Sequence, residues 1–156
     1  TGRFAYSSVT ADTHTAASQL VAAGAEPYPI FQRMDENKSV VDFELIRLGI
    51  ERLVSLKDDG IVFTTLPKDS PDAKIKMIDV IRQLEGYDVV LVFQELDSNS
   101  VKVNLRSKSF FDVSAFAQQF GGGGHKMASG IFTQGALMDV VNKIVPALQD
   151  ALKKGA

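Results

Sequence analysis

Residues 88–106 read DVVLVFQELDSNSVKVNLR, and this stretch decides the fold. Val89 to Phe93 form an apolar run with no alternation, the pattern of a buried central strand covered on both faces. Asp97-Ser98-Asn99-Ser100 carries the residues of a hairpin turn. Beyond it the pattern changes. Val101, Val103 and Leu105 point one way and Lys102, Asn104 and Arg106 the other, a strand with one buried and one polar face. Taken alone, that polar face reads first as solvated sheet surface.

Toward the N-terminus, Ile61 to Leu66 is a second β-rich strand. Ser70-Pro71 is expected to start a helix carrying Met77, Ile78, Ile81 and Leu84, with Gly86 as its end. Residues 37–57 hold a wide apolar surface at helical spacing, including Val41, Leu45, Leu48, Phe43 and Ile50, and read as one long helix. An interdomain linker and a plain core helix are both compatible with it. Further out, Thr10 or Asp12 caps a helix running to about Ala23, Gly24 stops it, and Pro27 opens a short second one through Met34. His14 in the first of these helices reads as a surface or packing residue. Toward the C-terminus, Asp112 or Ser114 caps a helix through Phe120, and Ile131-Phe132 suggests a short edge strand. The last helix covers about Ala136 to Leu152, with a kink expected at Pro146. The fold class is α/β, a mixed β-sheet with flanking helices.

The 156 residues include 45% hydrophobic and 23% charged side chains, ordinary for a globular protein. The net charge of −2 argues against binding long nucleic acid by bulk electrostatics. Locally the balance reverses: between Val101 and Lys126 stand Lys102, Arg106, Lys108 and Lys126 against one acid, Asp112. There is no cysteine, hence no disulfide, thiolate nucleophile or cysteine zinc site, and a cytoplasmic setting is expected. No apolar run reaches transmembrane length, so no membrane partner is expected. The chain opens TGRF without an initiator Met and reads as a piece of a longer protein.

Residues 120–130 read FGGGGHKMASG. A glycine run after a helix is commonly a C-cap and a flexible connector. Here it leads into His125, Lys126 and the small residues Ala128, Ser129 and Gly130 instead of Ser, Pro or charge. Bare backbone that must approach a ligand closely is the alternative, with N–H groups lining an anion-binding concavity. Neither the Walker loop nor the dinucleotide fingerprint fits, because His125 follows Gly124 and Met127 stands where a glycine is needed. If Arg106 faces this loop, its guanidinium, the glycines and His125 can hold a phosphate, with Ser107, Lys108 and Ser129 at the rim. His125 could act as an acid. No His/Asp cluster at metal-ligand spacing and no nucleophile elbow accompany it, so the chain reads as a binding half without its own catalytic machine.

GGGGHKMASG, preceded by LRSKS (residues 105–109) and DVSAFAQQF (residues 112–120), resembles the C-terminal DHH-associated domain of DHH-family phosphoesterases. TGRF is similar to the tail of the Asp-Thr-Gly-x-Phe motif that closes the catalytic DHH domain, and THTAASQLVAAGA (residues 13–25) resembles that domain's last helix. Met127, where a basic residue is common, and the fourth glycine depart from the usual pattern. The resemblance implies a DHH-domain tail over residues 1–35, a linker helix over 36–58 and a DHH-associated substrate-binding domain over 59–156. Within the family the pattern is nearest the short oligoribonuclease type that also acts on pAp. It implies a hydrolase parent acting on short oligoribonucleotides or pAp-type nucleotides. The alternative is a non-catalytic nucleic-acid- or nucleotide-binding module. Arg106, Ser107, Gly122, Gly123, Gly124, His125 and Ser129 would bind the substrate's phosphate or 5′ nucleotide. Mn²⁺ would sit in the parent's own N-terminal DHH domain, leaving this chain without metal ligands and inactive alone; a homodimer is allowed.

Overall fold

The unbroken run at 89–93 and the β-rich stretch at 61–66 become neighbouring interior strands. In the computed structural model, which describes Phe4, residues 8–73 and residues 76–154, they form β2 (Ile61–Leu66) and β3 (Val89–Asp97). An antiparallel strand β1 (Val54–Leu56) lies outside β2. The β2–β3 pair is parallel, with Ile61 opposite Val89 and Phe63 opposite Leu91. Parallel neighbours need a crossover, and it carries the helix α4 (Met77–Ile81). This helix begins later than Ser70-Pro71 suggests. Ser70 turns its hydroxyl and its N–H onto the Pro67 carbonyl, closing a turn that competes with a helix start. Residues 74 and 75 lie outside the described residues.

β3 returns through the expected hairpin into β4 (Ser100–Ser107), antiparallel, with a register irregularity between Glu95 and Asp97. The turn is held by the Asp97 carboxylate, which accepts from the Ser100 hydroxyl and the Asn99 N–H. These donors, Ser100 first, hold its pKa below the ordinary carboxylate value. Two more strands, β5 (Gly123–His125) and β6 (Ala128–Gln134), complete a mixed sheet of order β1-β2-β3-β4-β6-β5. Ile131-Phe132 is therefore not a short edge strand. It belongs to a seven-residue strand paired to β4 along its length, because part of the glycine run itself pairs as β5 and takes the outermost place.

The helix expected over 37–57 is shorter and belongs to the sheet domain. α3 (Val40–Glu51) starts at a reciprocal cap, in which the Ser39 hydroxyl accepts from the Asp42 N–H and the Asp42 carboxylate accepts from the Ser39 N–H. It stops at Glu51 because residues 54–56 gain more by pairing with β2 than by continuing a helix. Leu45 is buried from α3, and the Thr64 hydroxyl donates to the Gly49 carbonyl. The C-terminal helix α6 (Leu137–Lys154) is continuous through Pro146 and buries Val140, Val141, Ile144, Val145 and Leu148.

The sheet has two unequal coverings. One face, bearing Phe63, Leu91, Val103, Leu105 and Ile131, packs under α6 and under α5 (Val113–Gln118) across β2, β3, β4 and β6. On the other face, Val62, Leu66, Val90 and Val92 pack with Leu45, Met77, Ile78 and Ile81 of α3 and α4. That second layer sits on β2 and β3, which is why only those strands are apolar on both sides.

The chain divides into two compact units, Thr1–Lys38 and Ser39–Ala156. The first holds α1 (Ala11–Ala22), capped at Thr10 with Gly24 in the left-handed region just past its end, then α2 (Pro27–Phe31) and a π-helical turn (Gln32–Glu36). His14 is a packing residue, stacked on Phe4 with ring centroids 4.7 Å apart. Of the TGRF segment only Phe4 lies within the described residues.

Candidate functional site

The alternation in β4 assigns its side chains. Val101, Val103 and Leu105 are fully buried beneath α5 and α6, and Lys102, Asn104 and Arg106 project from the opposite face. Residues directly opposed in an antiparallel ladder share a face. Arg106 pairs with Ala128 and Ala128 with His125, so the three form one row across β4, β6 and β5. The next row is Asn104–Gly130–Gly123, and beyond it Lys102 stands opposite Phe132. His125 and Phe132 are exposed on this half of the sheet. Arg106 and His125 thus share a face two strands apart, with Cα atoms roughly 10 Å from each other and only the Ala128 methyl between them. The Arg106 guanidinium spends one donor on the Leu105 carbonyl (3.0 Å), leaving four of its five N–H groups for other acceptors.

α5 delivers the chain to this face. The Asp112 carboxylate caps it, accepting from the Ser114 and Ala115 N–H groups. Gly121 ends it with φ +74°, and the Gly122 N–H bonds the Ala117 carbonyl. The C-cap reading is right for Gly121, but a connector does not follow. The run crosses into β5, so its backbone is a paired edge strand and not the looped anion nest expected from the sequence. The turn after it is clamped from two sides, with the Ser107 N–H on the Met127 carbonyl (3.1 Å) and the Val113 N–H on the Lys126 carbonyl (3.0 Å).

The glycines of β5 and its approach have different reasons. A Cβ on Gly122 would lie 2.3 Å from the Gly130 carbonyl oxygen, and one on Gly124, at φ +149°, 2.6 Å from that of Ala128. The hairpin cannot close without these two. A Cβ on Gly123 would meet nothing within 4 Å and its φ is not in the left-handed region; on Gly130 the nearest atom is 3.7 Å away. The fold does not demand glycine at either, and both leave bare backbone in the middle of the open face.

The structure brings together Arg106, His125 and Gly123, with Gly122 and Gly124 shaping the strand that carries them. It does not bring in the two serines. Ser107 and Ser129 fall on the helix-covered face, both buried. The Ser129 hydroxyl donates to the His125 carbonyl (3.0 Å) and braces the turn. The Ser107 and Ser109 hydroxyls are buried with no hydrogen-bond partner. Lys108 is engaged elsewhere, with its ammonium donating to the Leu84 carbonyl. Asn104 and Phe132 belong to the open face and escape a reading of motifs. The signal for Phe132 was its even spacing from Ala128 and Gly130 on one strand.

A cavity of about 330 Å³ lies elsewhere, between the end of α5 and the start of α6, lined by Phe120, Asp139 and Lys143 among others. Of the open face it reaches Gln134, at the far end of β6, but not Arg106, Gly123, His125, Gly130 or Phe132. Among the described residues no group of three or more His, Cys, Asp or Glu side chains is placed to hold a metal ion. No helix among them is long and apolar enough to cross a membrane.

Over 99% of its length the chain is 26% identical to the bifunctional oligoribonuclease and PAP phosphatase NrnA of Thermus thermophilus, covering 48% of that protein. The fold matches an exopolyphosphatase-related protein from Bacteroides fragilis with a TM-score of 0.82 at 19% identity, across 97% of this chain and 48% of that one. It also matches the pGpG-specific phosphodiesterase PggH of Vibrio cholerae with a TM-score of 0.56 at 14% identity, across 99% and 55%. The chain therefore spans about half the length of the relatives it matches. Residues 58–154 match the DHHA1 domain family, and the chain belongs to it, the C-terminal DHH-associated domain of DHH/RecJ-like proteins.

Proposed function

We propose that this chain is the substrate-binding part of a DHH-type phosphoesterase that hydrolyses short oligoribonucleotides or pAp-type nucleotides. The observation that carries the reading is the Arg106–Ala128–His125 row on the uncovered half of the sheet. A guanidinium and an imidazole reaching inward over a methyl group can grip the oxygens of one phosphate, the guanidinium with two parallel N–H bonds. The bare backbone of Gly123 and Gly130 lets the attached sugar lie close against the sheet. Lys102 adds a second cation along the same face, and no carboxylate projects from this face on β4, β5 or β6. With a net charge of −2 for the whole chain, so local a basic surface suits a short ligand. The Thermus thermophilus relative is named for oligoribonuclease and PAP phosphatase activities, which fits the same substrate class.

In this reading Ser129 acts indirectly, its hydroxyl bracing the turn that carries His125, and Ser107 contributes only its backbone N–H, which bonds the Met127 carbonyl. Hydrolysis belongs to a DHH domain outside this chain, working with Mn²⁺ in the cytoplasm. The side chains described here do not fit a manganese site, and no chemical step is assigned to them. This chain's share of the reaction is to bind and orient the phosphate.

Titration calorimetry of the chain with AMP, at two salt concentrations, tests the reading. Weak binding with a shallow salt dependence is expected, because one phosphate is engaged. Absence of any nucleotide binding, or metal-dependent product formation by the chain alone, would refute it.

A further inference from the structure

The open face extends beyond the row that holds the phosphate. Phe132 stands four residues along β6 from Ala128, about 13 Å away at the rise of a β-strand. It is 66% exposed although it is paired to β4. β5 pairs only as far as Gly130, so at Phe132 the edge side of β6 is open. Its cross-strand partner is Lys102, whose ammonium lies 5.5 Å from the ring centroid. An exposed ring backed by a cation is a stacking surface of the kind that single-stranded nucleic acids use. Several other apolar side chains of this chain are equally exposed. Phe132 differs because it shares a face with Arg106 and His125, joined to them by two glycines that keep the path clear.

Resting on the proposed function above, we propose that Phe132 and Lys102 form a second nucleotide subsite, in which the ring stacks on the base of the residue following the phosphate-anchored nucleotide. The anchored nucleotide covers the Gly123–Gly130 row. The next base arrives over Phe132, while the Lys102 ammonium moves from the ring toward the linking phosphate. The site then reads length: a dinucleotide makes a contact that a mononucleotide cannot. It is indifferent to base identity, because every base offers a π face.

The test uses the chain with three probes: AMP, the 5′-phosphorylated diadenylate, and the same dinucleotide lacking its second base. The diadenylate is expected to bind about fivefold to a hundredfold tighter than either other probe, the range of one base–aromatic stack. Phe132→Leu should erase the advantage over the dinucleotide lacking its second base and leave AMP affinity unchanged, while Phe132→Trp should keep it. Arg106→Ala should weaken all three probes together. An advantage over the dinucleotide lacking its second base that survives Phe132→Leu, or equal affinity of the two dinucleotides for the unaltered chain, overturns the subsite and leaves the phosphate row standing. If none of the probes binds, the row and the subsite fall together. Thermal melts of the Phe132 variants should match the parent, since so exposed a ring contributes little to the core.

Discussion

Two alanine substitutions one residue apart are expected to do opposite things. In Gly122→Ala the new methyl would sit 2.3 Å from the Gly130 carbonyl oxygen, 2.8 Å from Ile131 Cγ1 and 3.0 Å from Ile131 Cα. Two of these atoms are backbone in the middle of β6, which is paired on its other side to β4, and Ile131 is fully buried under the helices. Neither side can yield by a rotamer change, so β5 must separate from β6. Overpacking of this kind costs about 1–3 kcal/mol, partly offset by about 0.4–1 kcal/mol from the stiffer unfolded chain. For a domain of this size the melting temperature should fall, by up to about 10 °C. Gly123→Ala places its methyl in open space, with nothing within 4 Å and an allowed φ. Its melting temperature should hold or rise by roughly 1–4 °C. The methyl nevertheless stands in the open face beside Gly130, where it should weaken AMP by about fivefold to a hundredfold if the nucleotide lies on bare backbone. Circular-dichroism melts and AMP calorimetry on both variants read the two effects separately. Equal melting temperatures for the pair would refute the packing argument. Unchanged AMP affinity in Gly123→Ala would refute the use of this backbone as a contact surface.

Arg106→Ala and His125→Ala should each lower nucleotide affinity by about tenfold to a hundredfold, the loss of a charge-assisted contact of roughly 1.5–3 kcal/mol; calorimetry that finds either variant unchanged removes that residue from the site. Ser107→Ala should leave AMP affinity unaltered and the melting temperature equal or higher, because the hydroxyl it removes is buried without a partner; a clear loss of binding would return Ser107 to direct contact. Asp97→Asn should remove a pH-dependent contribution to the β3–β4 hairpin. The Asp97 pKa is lowered in the fold by the Ser100 hydroxyl and then the Asn99 N–H, so its contribution is present above the unfolded carboxyl value and lost as pH falls through the folded one. The difference in melting temperature between parent and variant should therefore shrink on acidification, and a difference that grows instead would contradict the assignment.

The periodicity of the sequence carried the layer architecture by itself. The unbroken run at 89–93 marks a strand covered on both faces, and the alternation of 101–106 marks a strand covered on one; each pattern states how many neighbours a face must have. The caps at Thr10, Ser39 and Asp112 and the stops at Gly24 and Gly121 are equally local, because each satisfies backbone groups within one turn. The motif around His125 carried the family. Tertiary structure decided what depends on partners distant in sequence. Residues 54–56 look helical until β2 offers them a ladder, and Ser70 looks like a helix start until its side chain finds the Pro67 carbonyl. The face that each candidate residue occupies was decided the same way. A strand's side chains alternate, so the register between β4, β6 and β5 sends Arg106, His125 and Phe132 to the open face and Ser107 and Ser129 under the helices. A slip of one residue would exchange those sets, and nothing within a single strand's sequence sets the register against its neighbours. It is set by the buried faces of Leu105 and Ile131 and by two glycines without which the hairpin could not close.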